Sequence, residues 1–339
     1  MSVTDYMKQK VKEINKEKLN KLASDIAKRN NKSAMYVKWD MFKNFIMYGI
    51  GYTDYLKGDY INLTKEQKKT YVTTKSFYKL LSYLNDSKYN ATMSDKIIFN
   101  KIFNKYLGRE WLDLRVSSID DFKKFIKGKK TIFAKPPKDF GGHGIEKIIL
   151  KDEKSIEALY NRLKEKELNL IEEEIVQADE LNKLNPYAVN SFRIVTLVKD
   201  GKVHLLANAL RINIDDAIAI GCNDAYMRLN EDGKICSRVI DDVANVYEEH
   251  PMKKIKFNTL TIPYVKEAFE MAKKAALEVP EVRYVGWDIA ITEKGPVIME
   301  GNEYPSYGIV QYYLFNDEHV GHLKQIADIL GDEMDNIKL

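Results

Sequence analysis

After about residue 131 the chain becomes a succession of short apolar runs, and this feature restricts its fold more than any other. The runs are of strand length and rich in branched and aromatic residues. They read TIFAK, KIIL, NLIEEEIV, SFRIVTLV, VHLLANALRI, VGWDIAI and VIMEGN. The sequences KDGK, NEDGK and TEKGP provide turns between several of them, and such turns join antiparallel strands. This half is therefore predicted to form antiparallel sheet.

Residues 1–126 differ from this half in composition and in the spacing of their apolar residues. They are rich in Lys, Asn, Tyr and Phe, and their apolar residues recur at helical spacing in FYKLLSYLN and DKIIFNKIFNKYL. Two further helices are predicted in the second half, at 155–166 and 264–277. A mainly helical N-terminal region, followed by strands that do not alternate strictly with helices, indicates an α+β fold.

Composition excludes several classes of protein. The 54 basic and 50 acidic residues give a net charge of only +4, which argues against a nucleic-acid binder. The two cysteines lack the spacing of a disulfide framework or a zinc ribbon. The start is too polar for a signal peptide, and the sequence has no apolar run long enough to cross a bilayer. We therefore expect a cytoplasmic protein without membrane insertion.

The stretch IFAKPPKDFGGHGIEKIIL, residues 132–150, places glycines and lysines between two predicted strands. Glycine lets backbone N–H groups approach an anion closely, and Lys135 and Lys138 add positive charge, so phosphate is the natural ligand. Neither familiar phosphate motif fits, because GxxxxGK[ST] is absent and GGHG precedes a strand and not a helix. A solvated hairpin tip is the alternative.

A second candidate site lies in VGWDIAITEKGPVIMEGN. The turn between its two apolar runs brings Asp288 near Glu300 across a hairpin, and Glu300 and Asn302 share one face of their strand. Two carboxylates and a carboxamide suit Mg²⁺. The alternative places both acids on the solvent face of an edge hairpin.

Three consecutive glutamates, residues 172–174, interrupt the predicted strand NLIEEEIV. At least one of them must point the same way as its apolar neighbours. A buried carboxylate needs hydrogen-bond donors, and the amino group of adenine or the hydroxyls of ribose would supply them. A solvated edge strand is the alternative.

Taken in this order, these segments resemble the ATP-grasp superfamily, and most closely its sugar-transfer-associated branch. The resemblance begins at YVTTKSFYKLLSYLND, ends at GWDIAITEKGPVIMEGNEYPSYGIVQ and covers nearly three quarters of the chain. It implies an ATP-grasp fold, in which two α+β subdomains clamp ATP. The implied division is a helical region at 1–95, a nucleotide-binding subdomain at 96–175 and a metal-binding subdomain at 176–339.

The resemblance also implies roles for individual residues. Lys96 and Lys135 match the two lysines expected on the α- and β-phosphates of ATP, and GGHG matches the loop that closes over the phosphates. The implied ATP-binding residues are Lys96, Lys135, Lys138, Gly141, Gly142, His143, Gly144, Glu172 and Glu174. The implied Mg²⁺ ligands are Asp288, Glu300 and Asn302.

One departure from the pattern concerns Gly286. Many ATP-grasp ligases carry an arginine at this position, two residues before the first metal-binding aspartate. Arg193 and Arg211, on predicted strands expected to face the same cleft, are the candidates for the catalytic role of that arginine. Either could instead be a structural ion-pair partner.

The function implied by the resemblance is an ATP- and Mg²⁺-dependent carboxylate–amine ligase that works through an acyl phosphate. Its partners would be a small-molecule or sugar-linked carboxylate, such as a uronic acid in surface polysaccharide biosynthesis, and an amine. A kinase acting on a hydroxyl and a non-catalytic nucleotide-binding module are the alternatives.

Overall fold

The structure, a computed structural model of the chain, describes residues 16–138, 144–215, 224–315 and 319–337. Three residues of the predicted phosphate loop, Gly141, Gly142 and His143, lie outside the described residues. Among the described residues, no helix combines the length and the apolar character needed to cross a bilayer.

Five helices form the first part of the described chain: α1 (Lys16–Arg29), α2 (Ala34–Tyr48), α3 (Tyr52–Lys57), α4 (Lys65–Lys69) and α5 (Thr74–Leu84). Local residues set their ends. The Tyr36 backbone N–H donates to the Ser33 side chain at the start of α2, and Gly49 ends this helix with φ 72°. Apolar side chains of α1, α2 and α3 pack together, so this region has a core of its own.

A four-stranded antiparallel sheet follows, in the order β1-β4-β2-β3. Its strands are β1 (Trp111–Asp113), β2 (Thr131–Lys135), β3 (Glu146–Ile149) and β4 (Leu170–Glu173). The helices of this segment are α6 (Ala91–Ser94), α7 (Lys96–Ile102), α8 (Ile119–Ile126) and α9 (Ile156–Glu165). Helices α8 and α9 cover one face of the sheet with side chains such as Phe122 and Leu159. Because β4 pairs with both β1 and β2, the glutamate strand is not an edge strand.

The rest of the chain builds a seven-stranded antiparallel sheet in the order β11-β10-β5-β6-β7-β8-β9. Its strands are β5 (Ser191–Lys199), β6 (Lys202–Asn213), β7 (Asp224–Met227), β8 (Val239–Asp241), β9 (Val246–Tyr247), β10 (Tyr284–Thr292) and β11 (Gly295–Asn302). The accompanying helices are α10 (Asp179–Asn182), α11 (Val265–Ala275), α12 (Tyr307–Val310), α13 (His322–Leu330) and α14 (Met334–Ile337).

The two faces of this sheet have different environments. On one face Phe192, Ile194 and Trp287 belong to the largest apolar core, which also contains the buried side of α11. On the other face Val195 and Leu197 pack with α5 and α13. Toward the start of β5, at Ser191 and Arg193, this second face becomes polar, and the candidate site lies there.

The α+β prediction, with helices ahead of the sheets, is confirmed. The predicted turns KDGK and TEKGP join β5 to β6 and β10 to β11, whereas NEDGK closes only an isolated bridge between Leu229 and Ile235. The helices predicted at 155–166 and 264–277 form as α9 and α11, each within two residues of the expected ends. The domain boundaries at residues 95 and 175 stay predictions.

Candidate active site

An irregularity in the β10–β11 hairpin brings the predicted metal ligands together. The register is regular from the turn, where Thr292 pairs with Gly295, to the pair formed by Ile289 and Ile298. There the register shifts, so Met299 is the extra residue of a bulge and Asp288 lies opposite Glu300. Without the shift, Asp288 would face Met299, and Glu300 would point to the other side of the sheet.

Asp288 is 9% exposed and accepts hydrogen bonds from Arg193, Ser191 and Asn302. Arg193 donates from Nε to Oδ1 at 2.6 Å and from Nη2 to Oδ2 at 2.8 Å, and the Ser191 hydroxyl donates to Oδ1 at 3.1 Å. Burial alone would raise the pKa of Asp288, but the Arg193 guanidinium and these hydrogen bonds hold that pKa below its usual value. Asp288 is therefore an ionised carboxylate in a fixed orientation.

Glu300 completes an acidic pair with Asp288. Asn302 lies beside both acids, with Nδ2 3.3 Å from Asp288 Oδ2 and 3.4 Å from Glu300 Oε1. Burial and the neighbouring Asp288 carboxylate raise the pKa of Glu300. These two neighbouring carboxylates carry two negative charges, and the Arg193 guanidinium balances only one of them. The cluster therefore keeps a net negative charge, which a bound cation would relieve.

The donor set fits Mg²⁺, which takes carboxylate and amide oxygens from proteins and completes its shell with water and phosphate. Asp288 Oδ2 accepts from Arg193 at 2.8 Å and from Asn302 Nδ2 at 3.3 Å, so a metal could take the place of the longer contact while Arg193 holds the carboxylate. No group of three or more His, Cys, Asp or Glu side chains that could hold a metal occurs within the described residues. The third protein ligand here would therefore be Asn302.

Arg211 lies on the same face of the sheet, because its backbone pairs with Ser191. Its guanidinium forms a 2.5 Å ion pair with Asp224, which is 2% exposed. Ionisable side chains thus follow one another across five adjacent strands, from Glu300 on β11 to Asp224 on β7. Both candidate arginines have a carboxylate partner in this structure.

Gly286 makes room for the Arg193 guanidinium. A Cβ atom at position 286 would lie 2.9 Å from Arg193 Nη1 and 3.0 Å from the Cα atom of Pro305. A side chain at this position and Arg193 in its observed place are therefore incompatible. Although β10 lacks an arginine here, the neighbouring strand β5 brings a guanidinium beside the same position.

A second cluster surrounds Glu172, the inward-facing member of the three glutamates. Its side chain is only 3% exposed. It accepts from Lys135 Nζ at 2.5 Å, Arg109 Nη2 at 2.6 Å and Asn100 Nδ2 at 3.0 Å. Burial alone would raise the pKa of Glu172, but Lys135 and Arg109 lower it to about 2. The protein itself thus supplies the donors that this buried carboxylate needs.

Arg109 connects the two clusters. Besides Glu172, it donates to the carbonyl oxygens of Ile298 at 2.8 Å and Met299 at 3.3 Å. Met299 is the bulge residue next to Glu300. A continuous path of contacts therefore runs from Lys135 on the small sheet to the acidic hairpin of the large sheet.

The remaining predicted nucleotide residues lie around β2 and β3. The Lys96 backbone N–H donates to the Pro137 carbonyl at 2.9 Å, which places the start of α7 beside the end of the β2 segment. Lys138 is exposed, and Gly144 has a φ of 71° that favours glycine. Glu174 pairs with Lys147 at 2.8 Å, with 35% of its side chain exposed.

Sequence reasoning missed Arg109, Asn100 and Ser191. Arg109 follows Gly108, whose φ of 58° and close approach to Val297 require a residue without a Cβ atom. That glycine is the one local signal that could have marked Arg109. The partners of Asn100 and Ser191 come from distant segments, so no local sequence pattern predicts the roles of these two residues.

Among solved structures, the chain is similar to the ATP-grasp ligase PsnB complexed with its minimal precursor, at 14% identity and a TM-score of 0.44. This match covers 73% of the chain and 63% of PsnB, so the chain spans less than two thirds of that protein. D-alanine–D-alanine ligase from Bacillus anthracis matches at 16% identity and a TM-score of 0.40, over 73% of this chain and 69% of the ligase. VanG D-Ala:D-Ser ligase from Enterococcus faecalis matches at 13% identity and 0.44, over 70% and 61%.

None of the curated proteins matches this chain. The family model for sugar-transfer associated ATP-grasp proteins matches residues 75–326, about three quarters of the chain. This range contains the acidic hairpin, the Glu172 cluster and the glycine-rich stretch, so it confirms the resemblance drawn from those motifs. The chain belongs to the sugar-transfer associated ATP-grasp family.

Proposed function

We propose that this protein is an ATP- and Mg²⁺-dependent carboxylate–amine ligase, which joins an amine to a uronic acid or another carboxylate of a surface glycan or its precursor. The observation that carries the proposal is the path of contacts from Lys135 through Glu172 and Arg109 to the hairpin that holds Glu300. It supports the proposal because phosphoryl transfer requires cationic and metal-binding groups close together.

Lys135 and Lys96 would contact the phosphates of ATP, with Lys138 and the glycine-rich loop alongside them. Glu172 would act on Lys135 rather than on the nucleotide, because its oxygens already accept from protein donors. It keeps the Lys135 ammonium oriented. Glu174 is the more accessible of the two candidate glutamates and is better suited to the ribose hydroxyls.

Asp288, Glu300 and Asn302 would hold Mg²⁺. When bound, the ion supplies positive charge that stabilises the phosphate oxygens during transfer. Arg193 keeps Asp288 in position through two parallel hydrogen bonds. Its guanidinium carries five N–H donors, more than the two oxygens of Asp288 use, so it can also approach a substrate anion.

The reaction would proceed in two steps. A carboxylate oxygen of the substrate attacks the terminal phosphorus of ATP, and the bond from that phosphorus to the bridging oxygen breaks, giving an acyl phosphate and ADP. The amine nitrogen then attacks the acyl carbon, inorganic phosphate leaves, and the nitrogen releases a proton to water. The protein contributes positioning and charge, and no covalent nucleophile is required.

Nucleotide binding is tested first, by calorimetry with ATP and Mg²⁺. Lys135→Ala should weaken ATP binding by about 10- to 100-fold, since a charge-assisted hydrogen bond contributes about 1.5–3 kcal/mol. Lys151→Ala removes an exposed lysine next to β3 and is the matched control. Undetectable ATP binding by the wild-type protein would refute the proposal.

The reaction class is tested by product analysis. Candidate uronic acid sugars and amines are incubated with ATP and Mg²⁺, and products are identified by mass spectrometry. ADP release that depends on both the carboxylate and the amine, with formation of an amide, supports the ligase. A stable phosphorylated sugar formed equally well without any amine would show a kinase instead.

A further inference from the structure

A cavity of about 510 Å³ lies where the N-terminal helices meet the end of β11, within the volume range of small-molecule sites. Asp54 and Lys57 of α3 and Tyr78 of α5 form one side of it. Tyr304 and Tyr307, just beyond β11, form another. Residues 54 and 57 precede the segment matched by the family model, so the N-terminal region supplies part of the wall.

The cavity adjoins the candidate metal hairpin. Tyr304 is two residues beyond Asn302, so their Cα atoms are at most about 7.6 Å apart. The backbone directly after Tyr304 is held to the site, because Arg193 Nη1 donates to the Pro305 carbonyl oxygen at 3.4 Å. A ligand in this cavity would therefore reach toward the groups proposed to act on the carboxylate.

The charged groups of the cavity favour a cation. Lys57 pairs with Asp242 at 2.9 Å, so these two residues neutralise one another. Asp54 accepts from the Tyr307 hydroxyl at 3.0 Å, and burial raises the pKa of Asp54 because this hydroxyl and the nearby Lys57 only partly compensate for lost hydration. Burial favours the neutral form of Asp54, whereas a neighbouring ammonium group favours its carboxylate, so a cationic ligand beside these aromatic rings would offset the cost of burial.

We propose that this cavity binds the amine substrate of the ligase, with Asp54 contacting its ammonium group and the tyrosine rings covering its apolar surface. The proposal rests on the proposed ligase function. It extends that function by assigning a substrate role to the helical N-terminal region. The amine would bind as the ammonium ion and would have to lose a proton before attacking the acyl phosphate.

Three hexose derivatives of similar size test the ligand class. Glucosamine carries an ammonium group, glucose carries no charge and glucuronate carries a carboxylate. Binding is followed by ligand-observed NMR at millimolar concentrations. We expect glucosamine to bind at least tenfold more tightly than glucose, and Asp54→Asn to remove that preference. The variant keeps an oxygen for the Tyr307 hydroxyl, and a normal thermal unfolding curve would show that it folds.

Equal binding of glucosamine and glucose, a preference for glucuronate, or binding of none of the three would overturn the cavity proposal. ATP binding is measured separately on the same proteins. A protein that binds ATP with Mg²⁺ but shows no preference for glucosamine leaves the ligase proposal standing and refutes only the assignment of the cavity. Absence of ATP binding by the wild-type protein, with a retained glucosamine preference, would refute the ligase proposal; the cavity would then bind an ammonium group but not as the amine site of a ligase.

A separate observation concerns the outward side of α2. Four large apolar side chains at helical spacing are largely exposed: Met35 82%, Trp39 57%, Phe42 64% and Ile46 62%. The opposite side of α2 packs into the helical core through Val37 and Met41. A continuous apolar stripe on the solvent-exposed side of a helix marks an interaction surface.

The charges around this stripe are positive. Lys38 and Lys43 are exposed on α2, and Lys43 Nζ lies 5.2 Å from the centre of the Trp39 ring. The one acidic residue of the helix, Asp40, is 9% exposed and accepts from the Tyr55 hydroxyl at 2.6 Å. The exposed side of α2 is therefore apolar and cationic.

We infer that the α2 stripe lies on a lipid surface with anionic head groups. A helix of this kind settles at the interface, with its aromatic and aliphatic side chains among the acyl chains and its lysines at the head groups. Such binding needs no membrane-spanning helix.

Vesicle sedimentation tests this inference, with phosphatidylcholine vesicles compared with vesicles that also contain phosphatidylglycerol. We expect the protein to sediment with the anionic vesicles, less so at high salt, and Trp39→Glu to weaken binding at least tenfold. Val116→Glu, which alters a side chain that is 80% exposed elsewhere, is the matched control. Absence of vesicle binding would refute the inference, as would dimerisation in solution that Trp39→Glu abolishes, since a second copy would then cover the stripe.

Discussion

Replacing Glu300 by Gln should stabilise the protein in the absence of metal, although it should abolish most activity. Both Asp288 Oδ2 and Glu300 Oε1 lie close to Asn302 Nδ2, at 3.3 and 3.4 Å, so the two oxygens are within about 6.7 Å of each other. At an effective dielectric constant of about 20, two negative charges at this distance repel by roughly 2.5 kcal/mol. Attraction to Arg193 offsets part of this repulsion.

The expected net effect is a gain of about 1 kcal/mol in the free energy of unfolding of the metal-free variant, measured by denaturant titration with EDTA present. The gain should shrink as the pH is lowered. Because the pKa of Glu300 is raised in the folded protein, wild-type Glu300 takes up a proton there and loses its repulsion with Asp288. Glu267→Gln, an exposed change on α11, is the control and should show no gain.

Addition of Mg²⁺ and ATP should reverse the order of stability, because ligand binding stabilises the folded state by an amount that grows with the logarithm of the affinity. The wild-type protein should gain more than the variant in thermal unfolding. ADP formation by Glu300→Gln should fall on the order of 100-fold, about 2.7 kcal/mol of transition-state stabilisation. A variant that is less stable than wild type without metal, and that responds to Mg²⁺ as wild type does, would refute the metal assignment of the hairpin.

Three further changes test the contacts around the site. Gly286→Ala should cost about 1–3 kcal/mol in denaturant unfolding, because the new methyl group meets Arg193; an unchanged midpoint would mean that Arg193 moves freely. Arg109→Leu should cost about 3–5 kcal/mol, since it leaves Glu172 buried with one cation fewer; a loss below 1 kcal/mol would contradict the buried network. Glu172→Gln should destabilise the protein above pH 4.5. This difference should shrink as the pH falls from 4.5 through about 2, the pKa of Glu172 in the folded protein, because wild-type Glu172 is protonated in both states only below that pH. A difference independent of pH would show that the carboxylate charge is not what matters.

The sequence alone determined the secondary structure around the site. Local turn chemistry predicted the β5–β6 and β10–β11 hairpins, and strand-length apolar runs predicted β2, β3 and β4, because these signals depend on residues that are neighbours in the chain. The same reasoning brought Asp288 and Glu300 to one hairpin, and it predicted that one of three glutamates must face inward. Family resemblance added the order of the motifs.

The tertiary structure decided which side chains meet. A regular hairpin with this turn would place Met299 opposite Asp288, and only the bulge turns Glu300 to the same face. The donors to Glu172 come from α7, from β2 and from the segment before β1, and no sequence period connects such distant segments. A bulge and a buried charge network both depend on contacts between remote parts of the chain, whereas periodicity reports only what each segment does locally.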